Sequence, residues 1–511
     1  MAFYPPQTLK MVVHSGCSIL EYLTTLQLMQ VLCLTLLQNQ CQMSLTLYQS
    51  TNENPMFKRD ILKKLSGWAE EKDQKPLILR GARQVGKTTA IHLFSERFSQ
   101  YLYLNLEIKE ERTIFEQDYP IEDLLQAIVF YKNQVKHEGE ILIFIDEIQA
   151  CPAAVSYLRY FYEVFPDIYV IAAGSLLETL IDTHISFPVG RVEYLVMKPL
   201  SFKEFLNALS ETASLDILTK NIPAPDFAHE KLMKLFQTYS IIGGMPEIVE
   251  KYSDQKDIIA LNSIFDSLIV SYLDDVEKYA RNSTMVNVIR HAVSTSFYEA
   301  GSRIKFQGFG NSNYKSREMG EALKVLEKAM LIYLLYPSSS VSPPLLPNIK
   351  KSPRLQVLDT GMLNYFSGFQ KDLFGANSID SVYQGKIAEH IVGQELIAVE
   401  TSPLFKLYFW NREKKQSNAE VDYLIQYEGL LIPVEVKSAA TGRLRSLHQF
   451  IDRAPHKYAV RIYSGKLEIN QIKTLNGKEF LLLNLPFYLT GSIAGYLKWM
   501  ISNDKPTQQA K

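Results

Sequence analysis

The stretch LILRGARQVGKTTAIHLF, residues 77–94, decides the fold. Its first part, Leu77–Leu79, is a short apolar run that predicts a buried strand. GARQVGKT at Gly81–Thr88 then matches the pattern G-x-x-x-x-G-K-[ST] in full, and the residues that follow predict a helix. A strand, this loop and a helix in sequence predict a phosphate-binding loop. The alternative is a chance match in a glycine-containing loop, and the strand and helix beside it count against that.

The residue types in this loop suit a nucleotide. Gly81 and Gly86 let the backbone turn tightly and bring its N–H groups to the phosphates. Lys87 places a cation on the β and γ phosphates, Thr88 offers a hydroxyl to Mg²⁺, and the positive end of the helix adds to the attraction. The sequence therefore predicts ATP and Mg²⁺ as ligands. The predicted nucleotide-binding residues are Gly81, Ala82, Arg83, Gln84, Val85, Gly86, Lys87, Thr88, Thr89 and Ser175.

Two further apolar runs predict strands of the same parallel sheet. ILIFIDE, Ile141–Glu147, reads as a strand buried on both faces that ends in two carboxylates. We expect Asp146 to hold the Mg²⁺ shell and Glu147 to polarise a water for attack on the γ-phosphate. The alternative is a strand whose terminal acids face solvent. IYVIAAGS, Ile168–Ser175, places Ser175 beside the γ-phosphate or at the N-cap of the next helix, and these roles are compatible.

Composition limits the classes of protein that fit. The chain has 511 residues, about three domains at the usual size, and its 47% hydrophobic and 21% charged residues exclude wholesale disorder. Lys plus Arg number 54 against 55 Asp plus Glu, so any nucleic-acid contact must come from local patches. The 4 cysteines form no metal-ligand pair, which indicates neither a zinc site nor a disulfide scaffold and fits the reducing cytoplasm.

These motifs together resemble a known family. The chain is similar to the AAA-type P-loop ATPases in which an AAA core precedes a C-terminal, DUF4143-like domain of unknown function. The resemblance spans about residues 56–485 and rests on GARQVGKTT, LIFIDEIQ, IAAGS, FPVGRVEYLVMKPLSFKEFL, GGMPEIV, SYLDDVEKY and LDTGML. It implies an ATP hydrolase. It also implies that Arg191, after Gly190, can reach a γ-phosphate in its own or a neighbouring subunit. Pairing with a surface carboxylate such as Glu193 is the alternative.

The predicted architecture is α/β throughout. A P-loop NTPase core with a parallel sheet is followed by a helical lid, a winged helix-turn-helix and a restriction-endonuclease-like α/β domain. The predicted boundaries are an N-terminal extension at 1–55, the AAA core at 56–200, the lid-like segment at 201–285, the winged-helix-like domain at 286–375 and the nuclease-like domain at 380–490.

The N-terminal extension contains the apolar run Ile19–Leu37, which is interrupted by polar residues such as Glu21 and Gln27. A membrane span needs about 20 mostly apolar residues, so no stable membrane insertion is expected. The remaining alternatives are an amphipathic helix and translated sequence upstream of the native start.

The sequence of the winged-helix-like segment does not decide which kind of partner it binds. The stretch GSRIKFQGFGNSNYKSREMG leads into EALKVLEKAMLIYLLYP, and across this join Met319, Leu323, Leu326 and Met330 follow helical spacing, with Lys324 one of several basic residues nearby. Such a helix either enters the major groove of DNA or docks against a protein.

A second constellation of charged residues lies near the C-terminus. Glu389 falls on a predicted helix, Asp422 on a strand, and Glu435 and Lys437 on one face of the next strand. This order is similar to the PD-(D/E)xK nuclease pattern, in which Glu389, Asp422 and Glu435 hold one or two Mg²⁺ ions and Lys437 stabilises developing charge. The alternatives are a hairpin whose charges face water and an inactive binding module.

Two hypotheses for the whole protein follow from these patterns. The first is a Mg²⁺-dependent ATPase that drives or gates a metal-dependent nuclease on DNA. The second is a nucleotide-switched scaffold whose C-terminal domains only bind a partner. The predicted catalytic residues are Lys87, Glu147, Arg191, Glu435 and Lys437, the predicted metal ligands are Thr88, Asp146, Glu389, Asp422 and Glu435, and a homo-oligomer is consistent with a role for Arg191 between subunits.

Overall fold

The structure is a computed structural model. It describes residues 57–174, 190–220, 222–275, 280–368, 386–414, 417–437 and 444–504. The N-terminal run 19–37 and Ser175 lie outside these residues. No helix in the described part of the chain is both long and apolar enough to cross a membrane.

The first layer is a five-stranded parallel sheet in the order β2-β3-β4-β1-β5. Its strands are β1 Leu77–Arg80, β2 Gln100–Asn105, β3 Ile141–Asp146, β4 Ile168–Gly174 and β5 Glu193–Val196. The helices that alternate with them are α1 Ile61–Ala69, α2 Lys87–Ser95, α3 Lys109–Glu116, α4 Ile121–Tyr131 and α5 Pro152–Val164. The sheet confirms the predicted α/β core.

Burial explains why these strands are apolar at every position. Leu142 and Phe144 belong to the core cluster on one face of the sheet, and Ile143 and Ile145 belong to the cluster on the other. Because side chains alternate along a strand, a sheet covered by helices on both faces needs continuous apolar runs. Their polar ends then emerge together at the carboxyl edge of the sheet.

A helical segment follows the first sheet. Its helices are α6 Phe202–Ala208, α7 Thr212–Lys220, α8 His229–Ile242, α9 Pro246–Gln255, α10 Asn262–Asp275, α11 Ser283–Glu299 and α12 Ser316–Lys328. Helix α6 begins with a capping box: the Ser201 hydroxyl accepts from the Glu204 N–H at 3.4 Å, and the Glu204 carboxylate accepts from the Ser201 N–H at 2.9 Å.

The second layer is an eight-stranded mixed sheet in the order β12-β13-β11-β10-β9-β8-β6-β7. Its strands are β6 Ile332–Ser338, β7 Arg354–Val357, β8 Tyr408–Lys414, β9 Ser417–Tyr427, β10 Leu430–Val436, β11 Tyr458–Tyr463, β12 Glu468–Lys473 and β13 Glu479–Pro486. The helices of this region are α13 Thr360–Phe366, α14 Lys386–Ala398, α15 Arg445–Ile451 and α16 Ile493–Asp504.

The antiparallel pair β6–β7 follows α12 in the position of the wing expected after a helix-turn-helix. It does not stand alone, because Tyr336 and Ser338 of β6 pair in parallel with Tyr408 and Trp410 of β8. The segment predicted as a separate winged helix therefore contributes two strands to the sheet of the segment predicted as nuclease-like.

Candidate functional site

The loop between β1 and α2 is shaped by close backbone approach. A Cβ atom at position 81 would lie 2.5 Å from the carbonyl oxygen of Met197, so only glycine fits there. Gly86 has a φ of 92°, in the left-handed region that glycine adopts readily, and α2 begins at the next residue. The loop thus turns directly into a helix N-terminus, where backbone N–H groups favour an anion.

Lys87 lies buried inside the curve of this loop. Its Nζ donates to the carbonyl oxygens of Gly81 at 3.0 Å and Ala82 at 2.9 Å. Burial lowers the pKa of Lys87, while the charges of Glu147 and Asp146 oppose that shift. The ammonium is hydrogen-bonded to neutral carbonyl groups, which leaves its charge available to an anion in the loop.

The predicted metal ligands Thr88 and Asp146 are in direct contact. The Thr88 hydroxyl donates to Oδ2 of Asp146 at 2.7 Å, although strand β4 separates the strands that lead to them. Oδ1 of the same carboxylate accepts from the Glu147 N–H at 3.0 Å. Hydroxyl and carboxylate oxygens are ligands that Mg²⁺ prefers, so this pair fits the predicted ion.

Glu147 follows the end of β3 in the left-handed conformation, with a φ of 50°. Its side chain accepts a hydrogen bond from the amide of Gln149. Burial raises the pKa of Glu147, and Lys87 partly offsets the shift. A carboxylate with a raised pKa is a better proton acceptor near neutral pH, as a general base requires.

Arg59, which supports this loop from behind, was not among the predicted site residues. Its Nη1 donates to the carbonyl oxygen of Val85 at 2.9 Å, and its Nη2 donates to that of Lys198 at 2.7 Å. Its Nε forms an ion pair with Glu204 at 2.9 Å, and both side chains are buried. The only local signal for Arg59 was its place just before the first helix, which does not distinguish it from other basic residues there.

The other predicted nucleotide-site residues lie in different surroundings. Arg83 forms an ion pair with Asp275 at the end of α10, and the Tyr272 hydroxyl donates to the Arg83 carbonyl oxygen at 2.9 Å. Arg191 pairs with Glu163 at 2.6 Å, and its side chain is 41% exposed. The surface carboxylate that Arg191 meets is therefore on α5 and is not Glu193. Ala82 and Val85 are buried, whereas Gln84 and Thr89 are exposed.

The structure brings all four residues of the predicted C-terminal constellation together. Glu389 on α14 and Asp422 on β9 both face Arg354 of β7, whose Nη1 lies 2.8 Å from the first carboxylate and 3.7 Å from the second. The other Nη of Arg354 pairs with Glu420. This buried guanidinium lies at the centre of the carboxylates.

The second half of this constellation lies at the carboxyl end of β10. Lys437 Nζ forms an ion pair with Oε1 of Glu435 at 2.7 Å, and the Asp422 carboxylate accepts from the Val436 N–H at 2.8 Å. Burial raises the pKa of Glu389 to about 8 and that of Glu435 to about 7, and Asp422 adds to both shifts. The carboxylates therefore crowd one another, as acids at a metal site do.

The negative charge of these carboxylates is balanced by the guanidinium of Arg354. Arg354 is held by Glu389, Glu420 and Asp422 together, and among the described residues no three His, Cys, Asp or Glu side chains are arranged to hold a metal ion. The residues present therefore do not fit the predicted metal as they stand. Glu420 could have been found from its period-2 spacing to Asp422, but nothing near Arg354 in the sequence marks it.

Comparison with known proteins assigns parts of the chain. Residues 73–206 match a family described as an AAA domain, and residues 233–373 and 384–480 match two domains of unknown function, DUF8612 and DUF4143. An uncharacterized protein of Haemophilus influenzae is 28% identical over 205 residues, which are 38% of this chain. The match spans 45% of that relative's length.

Three solved structures illustrate the likeness. A Walker-type ATPase of Pyrococcus abyssi has 15% identity and a TM-score of 0.40, with coverage of 62% of this chain and 97% of that one. The RuvB Holliday junction branch migration motor of Thermotoga maritima has 13% identity and a TM-score of 0.25 (57% and 93% covered). The Aeropyrum pernix ORC1 protein in complex with DNA has 10% identity and a TM-score of 0.23 (60% and 90% covered).

The matched residues coincide with the P-loop geometry and strand order described above. The chain therefore combines an AAA domain of the P-loop ATPase fold with a C-terminal DUF4143 domain.

Proposed function

We propose that this protein binds ATP with Mg²⁺ at Gly81–Thr88 and hydrolyses it. The observation that carries the proposal is the 2.7 Å contact between the Thr88 hydroxyl and Asp146, because it joins the loop to the acid at the end of β3. Thr88 and Asp146 would hold the ion, and when bound it neutralises charge on the phosphates.

The other residues of the AAA domain have separate roles in this proposal. Lys87 binds the phosphate oxygens, and Glu147 orients the attacking water and takes its proton. Arg191 acts on the nucleotide of a neighbouring copy, since its guanidinium is exposed and its ion pair with Glu163 lies in water, where such pairs are weak. The mass of the purified protein with and without ATP tests the assembly that this role needs.

The test of hydrolysis is phosphate release by the purified full chain, compared with Lys87→Ala. We expect phosphate release to be about 100-fold or more slower in the variant, because the positive charge of Lys87 that contacts the transferred phosphate is removed. Lys63→Ala is the matched control, since Lys63 is 84% exposed on α1. Equal rates in wild type and Lys87→Ala would defeat the assignment.

For the C-terminal domain we propose partner binding under nucleotide control, in preference to DNA cleavage. The supporting observation is Arg354, which satisfies the carboxylates that a nuclease would offer to Mg²⁺. The test is nicking of supercoiled plasmid in the presence of Mg²⁺ or Mn²⁺, with and without ATP. It compares the wild type with Glu435→Ala. We expect no nicking by either protein. Metal-dependent nicking that is lost in Glu435→Ala would establish the nuclease instead.

A further inference from the structure

A cavity of about 300 Å³ lies where three parts of the molecule meet. The AAA domain contributes Arg80 and Lys198, helix α12 contributes Lys324 and Lys328, and the segment before β8 contributes Phe405. The walls are held together by the backbone, because the Val196 N–H donates to the carbonyl oxygen of Thr401 at 2.9 Å. The cavity is thus built from segments far apart in the sequence, outside the P-loop and the carboxylate cluster.

The charged side chains around this cavity are mainly cationic. Five of its described lining residues are basic, namely Arg80, Lys198, Lys324, Lys328 and Lys406, and Glu327 is acidic. The Glu327 carboxylate also accepts from the Leu334 N–H at 3.2 Å, so part of its capacity is used by the backbone. The excess of positive charge creates a potential that attracts an anion.

Lys198 is half-buried and lies beside Tyr333. Its Nζ donates to the Tyr333 hydroxyl at 3.3 Å and lies 5.0 Å from the centroid of that ring. Burial, with a smaller contribution from Arg80, lowers the pKa of Lys198 to about 8. A lysine whose partners are a phenol and an aromatic face gains a counter-charge if an anion enters the cavity.

The remaining wall is apolar and includes Met330, Leu335, Ile397 and Leu407. An apolar wall with a few convergent polar groups, at this volume, is typical of a small-molecule site. Lysine is a common phosphate ligand that acts as a point charge. We propose that this cavity binds a small organic phosphate, with the phosphate among Lys198, Lys324 and Lys328 and the organic part against Phe405 and the apolar wall.

The position of the cavity favours a small ligand over nucleic acid. Lys324 lies on the predicted recognition helix, for which both DNA and a protein were open as partners, and it lines this cavity together with Arg80 and Lys198 of the AAA domain. The site also borders the P-loop without overlapping it. Arg80 immediately precedes Gly81, and Arg59 links the Lys198 carbonyl oxygen to that of Val85.

The proposal is tested with pyridoxal 5′-phosphate, an aromatic phosphate whose aldehyde forms an imine with a neutral lysine. Reduction with sodium borohydride fixes the adduct, and peptide mapping of the full chain reads labelling at Lys198 separately from Lys87. We expect Lys198 to be labelled about tenfold more than by pyridoxal, which lacks the phosphate. Inorganic pyrophosphate should protect Lys198, and the result does not depend on ATP hydrolysis.

Matched variants show whether the cavity is responsible. Lys324→Ala/Lys328→Ala should reduce Lys198 labelling about tenfold, because two of the phosphate ligands are lost. Lys350→Ala/Lys351→Ala, which removes two exposed lysines outside the cavity, should leave it unchanged. Equal labelling of Lys198 by the two aldehydes would overturn the proposal. So would protection by a short DNA duplex but not by pyrophosphate, since that result identifies a nucleic-acid surface.

Discussion

The carboxylate of Asp359 occupies the space that a side chain at position 243 would need. Gly243 has a φ of 79°, and a Cβ atom there would overlap both carboxylate oxygens of Asp359. The neighbouring Gly244 N–H donates to Oδ2 of Asp359 at 2.6 Å. Asp359 is fully buried and also caps α13 through the Met362 N–H at 3.1 Å. The GGMP and LDTG motifs of the sequence are therefore the two sides of one contact between the helical segment and the C-terminal region.

Gly243→Ala should destabilise the protein by about 2–4 kcal/mol, because backbone strain and overlap with a buried carboxylate act together. The matched control is Gly429→Ala, where φ is 76° and nothing lies within 4 Å of the added Cβ. Urea denaturation of both variants separates the two effects. A loss no larger than that of Gly429→Ala would show that Asp359 moves aside without cost.

The buried carboxylate of Glu395 should make the stability of the folded protein depend on pH. Its carboxylate accepts from the Phe202 N–H at 2.9 Å and from the Tyr239 hydroxyl at 3.2 Å. Burial raises its pKa to about 7 in the folded protein, above the ordinary value of 4.5. Since the folded state binds the proton more tightly, the stabilisation is complete below pH 4.5 and is lost as the pH rises through about 7.

Glu395→Gln keeps the acceptor oxygen and removes the titration. Between about pH 5 and about pH 8 the wild type should lose on the order of 1–3 kcal/mol more than this variant. Asp359, whose pKa burial raises to about 6, contributes in the same direction and remains in both proteins. The exposed Glu468→Gln should retain the wild-type slope. If the unfolding free energy changed by the same amount between the two pH values in wild type and in Glu395→Gln, the expectation would be contradicted.

Asp275→Asn should weaken ATP binding several-fold, because the ion pair with Arg83 helps to fix the P-loop against α10. The affinity is measured by titration of a fluorescent ATP analogue. Asp274→Asn makes the same chemical change one residue earlier, at an exposed position, and should bind as wild type does. If the two variants bind equally well, the ion pair has no part in nucleotide binding.

Glu147→Gln should bind ATP normally and release phosphate about 100-fold to 10,000-fold more slowly, since the amide cannot accept the proton of water. Binding and phosphate release are measured on the same preparation. Glu107→Gln, an exposed acid close enough to influence the pKa of Glu147, should retain most of the rate. Loss of binding in Glu147→Gln would make the residue structural.

Arg354→Met should destabilise the C-terminal region by about 3–5 kcal/mol, because the buried Asp422 and the half-buried Glu389 and Glu420 would lose the cation between them. Arg303→Met is the comparison, since Arg303 is more exposed and lies 3.6 Å from Glu420. Thermal melting compares the two variants. A stability close to that of the wild type in Arg354→Met would mean that the carboxylates find their protons or other partners easily.

The nucleotide site was predictable because its residues are nearly contiguous. Gly81 to Thr88 form one loop, and Asp146 ends an apolar run whose burial on both faces requires a parallel sheet. The AAA fold follows from those local patterns. The strand order does not, since it places β4 between β3 and β1 by pairing residues that are distant in sequence.

The C-terminal constellation shows what local sequence patterns cannot predict. Asp422, Glu435 and Lys437 were placed together because β9 and β10 are consecutive and side chains alternate along them. Arg354 reaches the same cluster through β6, which pairs with β8 across a long stretch of chain. No local periodicity records that pairing, so the charge balance of the cluster was missed.

The ladder between Tyr336 and Tyr408 has a practical consequence for work with fragments. A fragment that ends near residue 375, at the border suggested by the sequence, keeps β6 and β7 but deletes β8, the strand with which β6 pairs. The exposed rim would offer unmatched amide and carbonyl groups to any other polypeptide, which invites aggregation. The complementary fragment would carry the same defect along β8. Strands β6 and β7 and the DUF4143 region should therefore be expressed as one piece.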